Sequence, residues 1–551
     1  MLGILARPIP LACLAAALSI TIQGFEFGVN NNVFHIPIVL GFSELPQFAA
    51  DPVIHSLRRF VSPVYSLLAT VATEDNIAGL FFLCHVATRI LSFLALLLLA
   101  TALGMVGWRL CVVAAVLSVA RGIYGVSPVG TGGMLLNYFT HSELASAFAL
   151  LCCAAIVHGR LVLAGSLGGL AFAVNAFVGV WIALPLALAS LQSLAQAPDA
   201  PAAPSGRIVA RLRPVLLAAL AYAVPALPVA GWVLTAAAQG TAEFDYREFL
   251  WYYWGSHFFL DASGPWALRE FGSTAVSAVT AASLLRSRRA ATVIGGVLLV
   301  LLAGILVGAV SHSRLLLNLH LLRADAILAL LAAALVATAA VRRLDSGPPL
   351  CVLLAALALL SLVDGRWVLT AAILGALWLA TRFHRGPSWA FGAGILRRAL
   401  LAVAARPRAL AVAGGVLLAA VAASGRYQGL GQAPDWLDVQ HWARTATSAE
   451  ARFLVPPSTT GFRVGARRFS LVDWKEGATV MWAPEMHAEW RQRMDAVSRL
   501  RRIDEWIDHA CAHDLQFVVV DRRRTAIPEA EILRPEYSNP SFAVYRITGC
   551  S

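Results

Sequence analysis

The sequence predicts a polytopic α-helical membrane protein with a small soluble α/β domain at its C-terminus. Of its 551 residues, 59% are hydrophobic and only 13% are charged, and the mean hydropathy is +0.71. A soluble domain carries about 25% charged residues. The apolar residues gather in runs of roughly 15–26 residues, long enough to cross or nearly cross a bilayer. After about residue 427 charged residues become more frequent and the apolar runs shorten.

The apolar runs predict about 13 membrane-spanning helices. They cover residues 8–23, 78–103, 105–123, 143–158, 160–174, 176–195, 213–236, 271–286, 290–310, 325–341, 349–363, 366–382 and 408–424. A stretch rich in Pro and Ala, residues 198–206, is the expected linker between a first block of helices and a second.

The arginines predict the orientation of these helices. With the N-terminus in the cytoplasm, the loops richest in arginine, at 207–213, 286–289 and 382–408, all lie on the cytoplasmic side. The net charge of +12 follows from this pattern rather than from a nucleic-acid site. We therefore expect a transmembrane domain over 1–426, with an outer loop over 24–77, and an extracytoplasmic domain over 427–551.

The pattern of the tail is typical of a small α/β domain. We expect helices over 435–445 and 484–513 and strands over 451–455, 469–472, 515–520 and 542–547. A cluster at 461–475 alternates basic and apolar residues before an Asp-Trp-Lys triplet. It could bind glycan, lipid headgroups or the membrane domain's own loop, or form a simple Asp473–Lys475 edge.

The outer loop is the first place to look for chemistry, because polar groups between membrane spans must face water, protein or a ligand. Glu26 and Asp51 are the candidate catalytic carboxylates, and Asn31 and His35 are candidate binding residues. A carboxylate here could act as general base towards a hydroxyl or hold a divalent cation. Asp51 is equally consistent with a helix N-cap, since Pro52 suits the first helical position.

Two further candidates lie in connections on the same predicted side. His141 could bind substrate or relay protons, although the stretch Thr140–Glu143 also fits a capping box. Asn175 faces the same compartment, unless it is a plain turn amide.

Arg314 and Arg323 are candidates for binding a phosphate, because a guanidinium donates two parallel hydrogen bonds to it. Arg323 could instead pair with Asp325 or reach lipid headgroups.

The cysteines do not predict a metal centre. Six lie in apolar runs, where cysteine behaves as a small hydrophobic residue, and no CxxC or Cys/His ligand spacing occurs. Cys511 and Cys550, alone in the tail, could pair or remain as thiols.

Together these features resemble the C-type (GT-C) glycosyltransferase superfamily and its bacterial relatives that carry a C-terminal extracytoplasmic domain. The resemblance rests on the loop pattern 24–37 with Asp51, the stretch 138–143, the Asn175 turn, and the tail triplets 461–463 and 473–475. In more familiar members adjacent acids mark the loop, and the adjacent pair in this loop is Glu74-Asp75 at its far end.

The resemblance implies transfer of a sugar from a polyprenyl-phosphate carrier to a cell-envelope acceptor, at the outer face of a bacterial inner membrane. Asp51 or Glu26 would be the base, and Arg314 or Arg323 would hold the carrier phosphate. The partners would be the lipid-linked sugar and membrane lipid.

Two other classes stay open. A transporter or flippase of a lipid-linked precursor predicts charged residues in the middle of helices, whereas most ionisable residues here lie near the ends of the runs. A non-catalytic assembly protein would use its tail to bind an envelope partner.

Overall fold

The computed structural model describes residues 8–196, 204–238, 243–345, 348–383, 413–417, 434–524 and 535–547. Most of these residues are helical, and the C-terminal part adds a small sheet. The predicted run 408–424 lies outside the described residues, apart from 413–417, as does Cys550.

Contacts divide the chain into two compact units. The first, here the bundle unit, comprises Met1–Gly24, Leu83–Gly231 and Asp245–Ser424. The second, here the loop–tail unit, comprises Phe25–Phe82, Trp232–Phe244 and Gly425–Ser551. Most of the predicted outer loop groups with the tail in this division, and the domain boundary near residue 426 stays a prediction.

In the described part of the chain, each of the other twelve predicted apolar runs coincides with a helix. These helices are Pro8–Gln23, Ile77–Ala102, Trp108–Val119, His141–Val157, Leu161–Val174, Ala176–Gln196, Pro204–Ala238, Pro265–Leu285, Arg288–Val310, Asp325–Asp345, Pro349–Asp364 and Trp367–Phe383. Among the described residues, five helical stretches are long and apolar enough to cross a membrane, and six helices of 10–17 residues are apolar but shorter.

The helix Asp325–Asp345 is the centre of the bundle unit. The apolar part of this helix is buried on all sides, as expected for a helix that is hydrophobic all round. It packs against Pro265–Leu285, Pro349–Asp364 and Trp108–Val119. Its alanines, from Ala326 onwards, keep its surface narrow enough for neighbours on every face.

The loop–tail unit contains short helices from both of its main segments. In the loop they are Asn32–Val39, Pro52–Ser56 and Pro63–Ala69. In the tail they are Pro434–Ala446, Phe462–Ala466, Met486–Val497 and Ile503–Ala512, with a 3-10 helix at Trp474–Met481. The helix expected over 484–513 is therefore two helices, because the amides of Arg501 and Arg502 donate to Glu505 and begin a new helix.

The sheet of the tail has five strands. They are β3 (Arg452–Leu454), β4 (Phe469–Ser470), β5 (Phe517–Asp521), β6 (Pro535–Ser538) and β7 (Phe542–Arg546), in the order β4-β3-β5-β7-β6. β3 runs parallel to β4 and β5, and β7 runs antiparallel to β5 and β6. The four predicted strands are confirmed, and β6 was not predicted. A separate two-stranded hairpin, β1 (Gly125–Val126) and β2 (Gly133–Met134), lies in the bundle unit.

Candidate functional site

Asp51 lies in the interior of the loop–tail unit. It is the N-cap of the helix Pro52–Ser56, where its Oδ1 accepts hydrogen bonds from the amides of Val53 at 3.0 Å and Ile54 at 3.3 Å. Its Oδ2 accepts from Nε of Arg463 at 2.6 Å, and its side chain has no exposed surface. The capping interpretation of Asp51-Pro52 is thus confirmed, and both carboxylate oxygens already have donors.

Arg463 is the cation at the centre of this buried cluster. Besides Asp51, it donates to Oγ of Ser470 at 3.0 Å and contacts the carboxylate of Glu476. Asp473 and Glu476 form a capping box at the start of the helix Trp474–Met481, in which each carboxylate accepts a hydrogen bond from the backbone amide of the other residue at 3.1 Å. Burial raises the pKa of Asp473 to about 7, although the positive charges of Arg463 and Lys475 oppose this rise.

The other predicted loop residues have different surroundings within the same unit. His35 is buried, and its Nδ1 lies 2.8 Å from the hydroxyl of Tyr65, on which its ring stacks. Asn31 precedes the helix Asn32–Val39 and does not cap it through its side chain. Glu26 is half-buried, between Gly24 and Gly28, whose backbones both have positive φ.

In the bundle unit, the structure brings His141 and Asn175 together. The amide of Asn175 lies 3.2 Å from Nε2 of His141 and donates to Oγ of Ser142 at 2.9 Å. Thr140 is the N-cap of the helix His141–Val157, as the capping interpretation expected. The carboxylate of Glu143 does not complete a capping box, because it accepts from the amide of Leu136 at 2.9 Å instead.

Arg323 is a cation without a carboxylate partner among the residues that the structure describes. Its Nε is buried and has no hydrogen-bond partner there. The expected Arg323–Asp325 pair is not formed, because Asp325 instead accepts from the amide of Val129 at 3.1 Å. His141 and His320 both lie close enough for the charge of Arg323 to act on them. The charge of Arg323 therefore acts on a second predicted residue, His141.

A glycine-rich loop between β1 and β2 supports the turn that carries Arg323. A Cβ added to Gly130 would lie 2.4 Å from the backbone of Leu322, and one added to Gly132 would lie 2.5 Å from the carbonyl oxygen of Arg323. The two backbones therefore meet at a distance that leaves no room for side chains. Between them Thr131 has a left-handed backbone, and its hydroxyl lies 2.5 Å from Nδ1 of His257. Sequence reasoning missed this loop, for which the run Gly130–Gly133 was the available signal.

Arg89 is a buried cation in the middle of the helix Ile77–Ala102, and sequence reasoning missed it. It is 1% exposed. It donates to Oγ of Ser19 at 2.5 Å and to Oε1 of Gln23 at 2.8 Å. It also donates to the carbonyl oxygens of Leu135 and Leu136 at 2.8 and 2.5 Å. Arg89 therefore fixes the loop before His141, and its signal was a lone arginine within an apolar run.

Arg314 starts the one-turn helix Arg314–Leu317, which Ser313 caps. The charge of Arg314 acts on Tyr246. Among the described residues, no group of three or more His, Cys, Asp or Glu side chains could hold a metal ion.

Three comparisons with known proteins add to this geometry. A family model described as "Domain of unknown function (DUF6798)" matches residues 434–497. No curated protein matches the chain. Among solved structures, the crystal structure of the Archaeoglobus fulgidus oligosaccharyltransferase in the apo form is similar over 93% of this chain and 69% of that chain, with 12% identity and a TM-score of 0.37.

Proposed function

We propose that the chain is an integral membrane glycosyltransferase. It moves a sugar from a polyprenyl-phosphate carrier to a cell-envelope acceptor, at the outer face of a bacterial inner membrane. The observation that carries the proposal is Arg323, a cation within an apolar helical bundle that has no carboxylate partner among the described residues.

A guanidinium in apolar surroundings needs an anion, because an unpaired buried charge is strongly unfavourable. Phosphate is a good match, since its oxygens accept two parallel hydrogen bonds from arginine. His141 and His320 lie near the same charge and offer further ring nitrogens. The apolar surfaces of the surrounding helices suit a polyprenyl chain, so one site could hold both parts of such a carrier.

In the proposed reaction the acceptor hydroxyl gives its proton to a carboxylate base, and its oxygen bonds to the anomeric carbon of the sugar. The bond from that carbon to the phosphate oxygen breaks, and polyprenyl phosphate leaves with one more negative charge. Arg323 stabilises this developing charge, so its contribution is larger in the transition state than in the ground state.

Glu26 is the better of the two predicted bases. Both oxygens of Asp51 already accept hydrogen bonds, and its side chain has no exposed surface. Glu26 is half-buried, so part of its surface is accessible.

The experiment uses the full chain in lipid nanodiscs, with short-chain polyprenyl-phosphate hexoses and pentoses as donors. Arg323→Ala should lose both the thermal stabilisation by polyprenyl phosphate and about 10²-fold or more of sugar transfer. Glu26→Gln should keep the stabilisation and lose transfer. Arg366→Ala is the matched control, because Arg366 is exposed and paired with Asp364. Parallel reactions with EDTA test the use of a divalent cation.

Unchanged stabilisation by polyprenyl phosphate in Arg323→Ala would refute the phosphate site. If the carrier binds and crosses the bilayer without sugar transfer, the protein is a flippase. If neither donor nor carrier binds, the chain is a non-catalytic assembly protein.

A further inference from the structure

We infer that the segment 434–497, which matches a domain of unknown function, is a docking module for the chain's own outer loop, and that Arg463 is its specificity-determining residue. Charged and aromatic residues of this segment contact the loop at several places. It concerns the loop–tail unit alone.

Charged pairs join the loop to this segment at three places. Asp51 accepts from Nε of Arg463 at 2.6 Å. Arg59 contacts Glu485 at 2.5 Å. Glu74 accepts from Arg444 at 3.0 Å and also contacts Arg467. The partners on the tail side all lie between 434 and 497.

Aromatic contacts cover the space between these pairs. The ring of Trp482 meets Phe34 at 5.6 Å and Phe60 at 5.1 Å between centroids, both edge to face. The guanidinium of Arg467 lies 5.4 Å from the centroid of Phe42. Trp482 also packs against the buried cluster that contains Phe34 and Phe42. The loop therefore shares a hydrophobic core with residues of the matched segment.

Among these charged pairs, Asp51–Arg463 is the one whose side chains are buried deeply enough to determine how the loop docks on the tail. Its two side chains are 0% and 6% exposed, whereas Glu74 is 52% exposed and the Arg59–Glu485 pair 32% and 43%. Exposed pairs contribute little. A buried charge that loses its partner is costly, so such a pair rejects any arrangement in which the two do not meet.

Each of the two partners is also held in place by contacts other than the pair itself. Asp51 is fixed by the helix that it caps, and Arg463 by Ser470 and Glu476. Asp51 is thus a positioning residue, which fixes the start of the helix Pro52–Ser56 on the tail. Any effect of Asp51 on sugar transfer rests on the proposed function. The docking of the loop on the tail does not depend on that function.

The test is hydrogen–deuterium exchange of the full-length protein in nanodiscs, read from the amides of residues 48–60. Arg463→Met leaves Asp51 buried without this cation and should raise exchange there by about 10²-fold or more. The multiple variant Asp51→Asn with Arg463→Met and Glu476→Gln removes the cation together with both buried carboxylates that it contacts, and it keeps a good capping residue at position 51. It should return exchange to within about tenfold of wild type, by the logic of a mutant cycle.

Arg491→Met is the matched control, because Arg491 lies in the same segment and pairs with Asp495 at a partly exposed site. It should leave exchange of the loop unchanged. Arg463→Lys, which keeps the charge and loses the planar fork, should give an intermediate rate if Arg463→Met does not fold.

The inference is overturned if Arg463→Met exchanges like wild type, or if the multiple variant, in which Glu476 is also neutralised, exchanges as fast as Arg463→Met. Exchange does not depend on catalysis, so failure of the docking and failure of the proposed function are distinguishable. Sugar transfer with an undisturbed loop in Arg463→Met refutes the docking alone. Rescue of exchange in a protein that transfers no sugar refutes the proposed function alone.

Discussion

The buried carboxyl of Asp473 makes the stability of the loop–tail unit depend on pH, and the sign of that dependence is fixed. Its carboxyl is 6% exposed, and burial raises its pKa from 3.8 to about 7, against the opposing charges of Arg463 and Lys475. The folded state therefore holds this proton more tightly than the unfolded state does. The resulting stabilisation is fully present below about pH 4 and is lost as the pH rises through 7.

The magnitude follows from the size of the pKa shift. A rise of about three units corresponds to about 4 kcal/mol at 1.36 kcal/mol per unit. Asp473→Asn removes this term, because the amide does not titrate in this range. Asparagine can still cap the helix Trp474–Met481, since its side-chain oxygen can accept from the amide of Glu476 as the carboxylate does.

The assay is hydrogen–deuterium exchange of the peptide 474–490 between pH 4.5 and 8, corrected for the intrinsic rate at each pH. The quantity compared is the free energy of opening in wild type minus that in Asp473→Asn, because this subtraction cancels the contribution of other carboxylates. The difference should fall by several kcal/mol between pH 4.5 and 8. Asp504→Asn is the control, because Asp504 is exposed and paired with Arg502. Equal pH slopes in wild type and Asp473→Asn would refute the reasoning.

Three further changes test the bundle unit. Gly132→Ala should lower the melting temperature and weaken polyprenyl-phosphate binding, because the new methyl would lie 2.5 Å from the carbonyl oxygen of Arg323 and cost about 1–3 kcal/mol. Thr140→Ala should cost about 1 kcal/mol in thermal unfolding, through the lost N-cap bond to the amide of Glu143. Arg89→Met should cost about 1–3 kcal/mol or more in the same measurement, because it leaves the carbonyl oxygens of Leu135 and Leu136 without their donor.

Gly132→Ala and Arg89→Met each have a control in the same unit. Gly295→Ala adds a methyl where no atom lies within 4 Å, and Arg366→Met removes an arginine that is 69% exposed. A fall in melting temperature for Gly295→Ala as large as for Gly132→Ala would contradict the packing argument. The same result for Arg366→Met and Arg89→Met would contradict the argument from burial.

Much of the fold could be predicted because its signals are local. A helix of a membrane bundle needs only a run of apolar residues, and β5 is a continuous buried run from Phe517 to Asp521. β6 was missed because the residues Pro535–Ser538 are largely exposed and carry no apolar pattern. The break at 498–502 was missed because it depends on the capping by Glu505 rather than on Gly or Pro.

The candidate site could be predicted only where neighbours in sequence define it. The capping role of Asp51 is signalled by Pro52, which follows it, and that of Thr140 by the start of a helix at the next residue. The identity of a distant partner has no local signal. Arg463, paired with Asp51, and Asn175, placed against His141, both depend on the tertiary fold.

The Asp51–Arg463 pair has a consequence for the order of biosynthesis. Its two members are 412 residues apart. At a synthesis rate of about 5–20 residues per second, the loop is made roughly 20–80 s before the arginine that neutralises it. During that interval the loop must wait with its apolar side chains and Asp51 unpaired. A ribosome that stops before Arg463 therefore leaves a chain whose first loop has been made but lacks the arginine that pairs with Asp51.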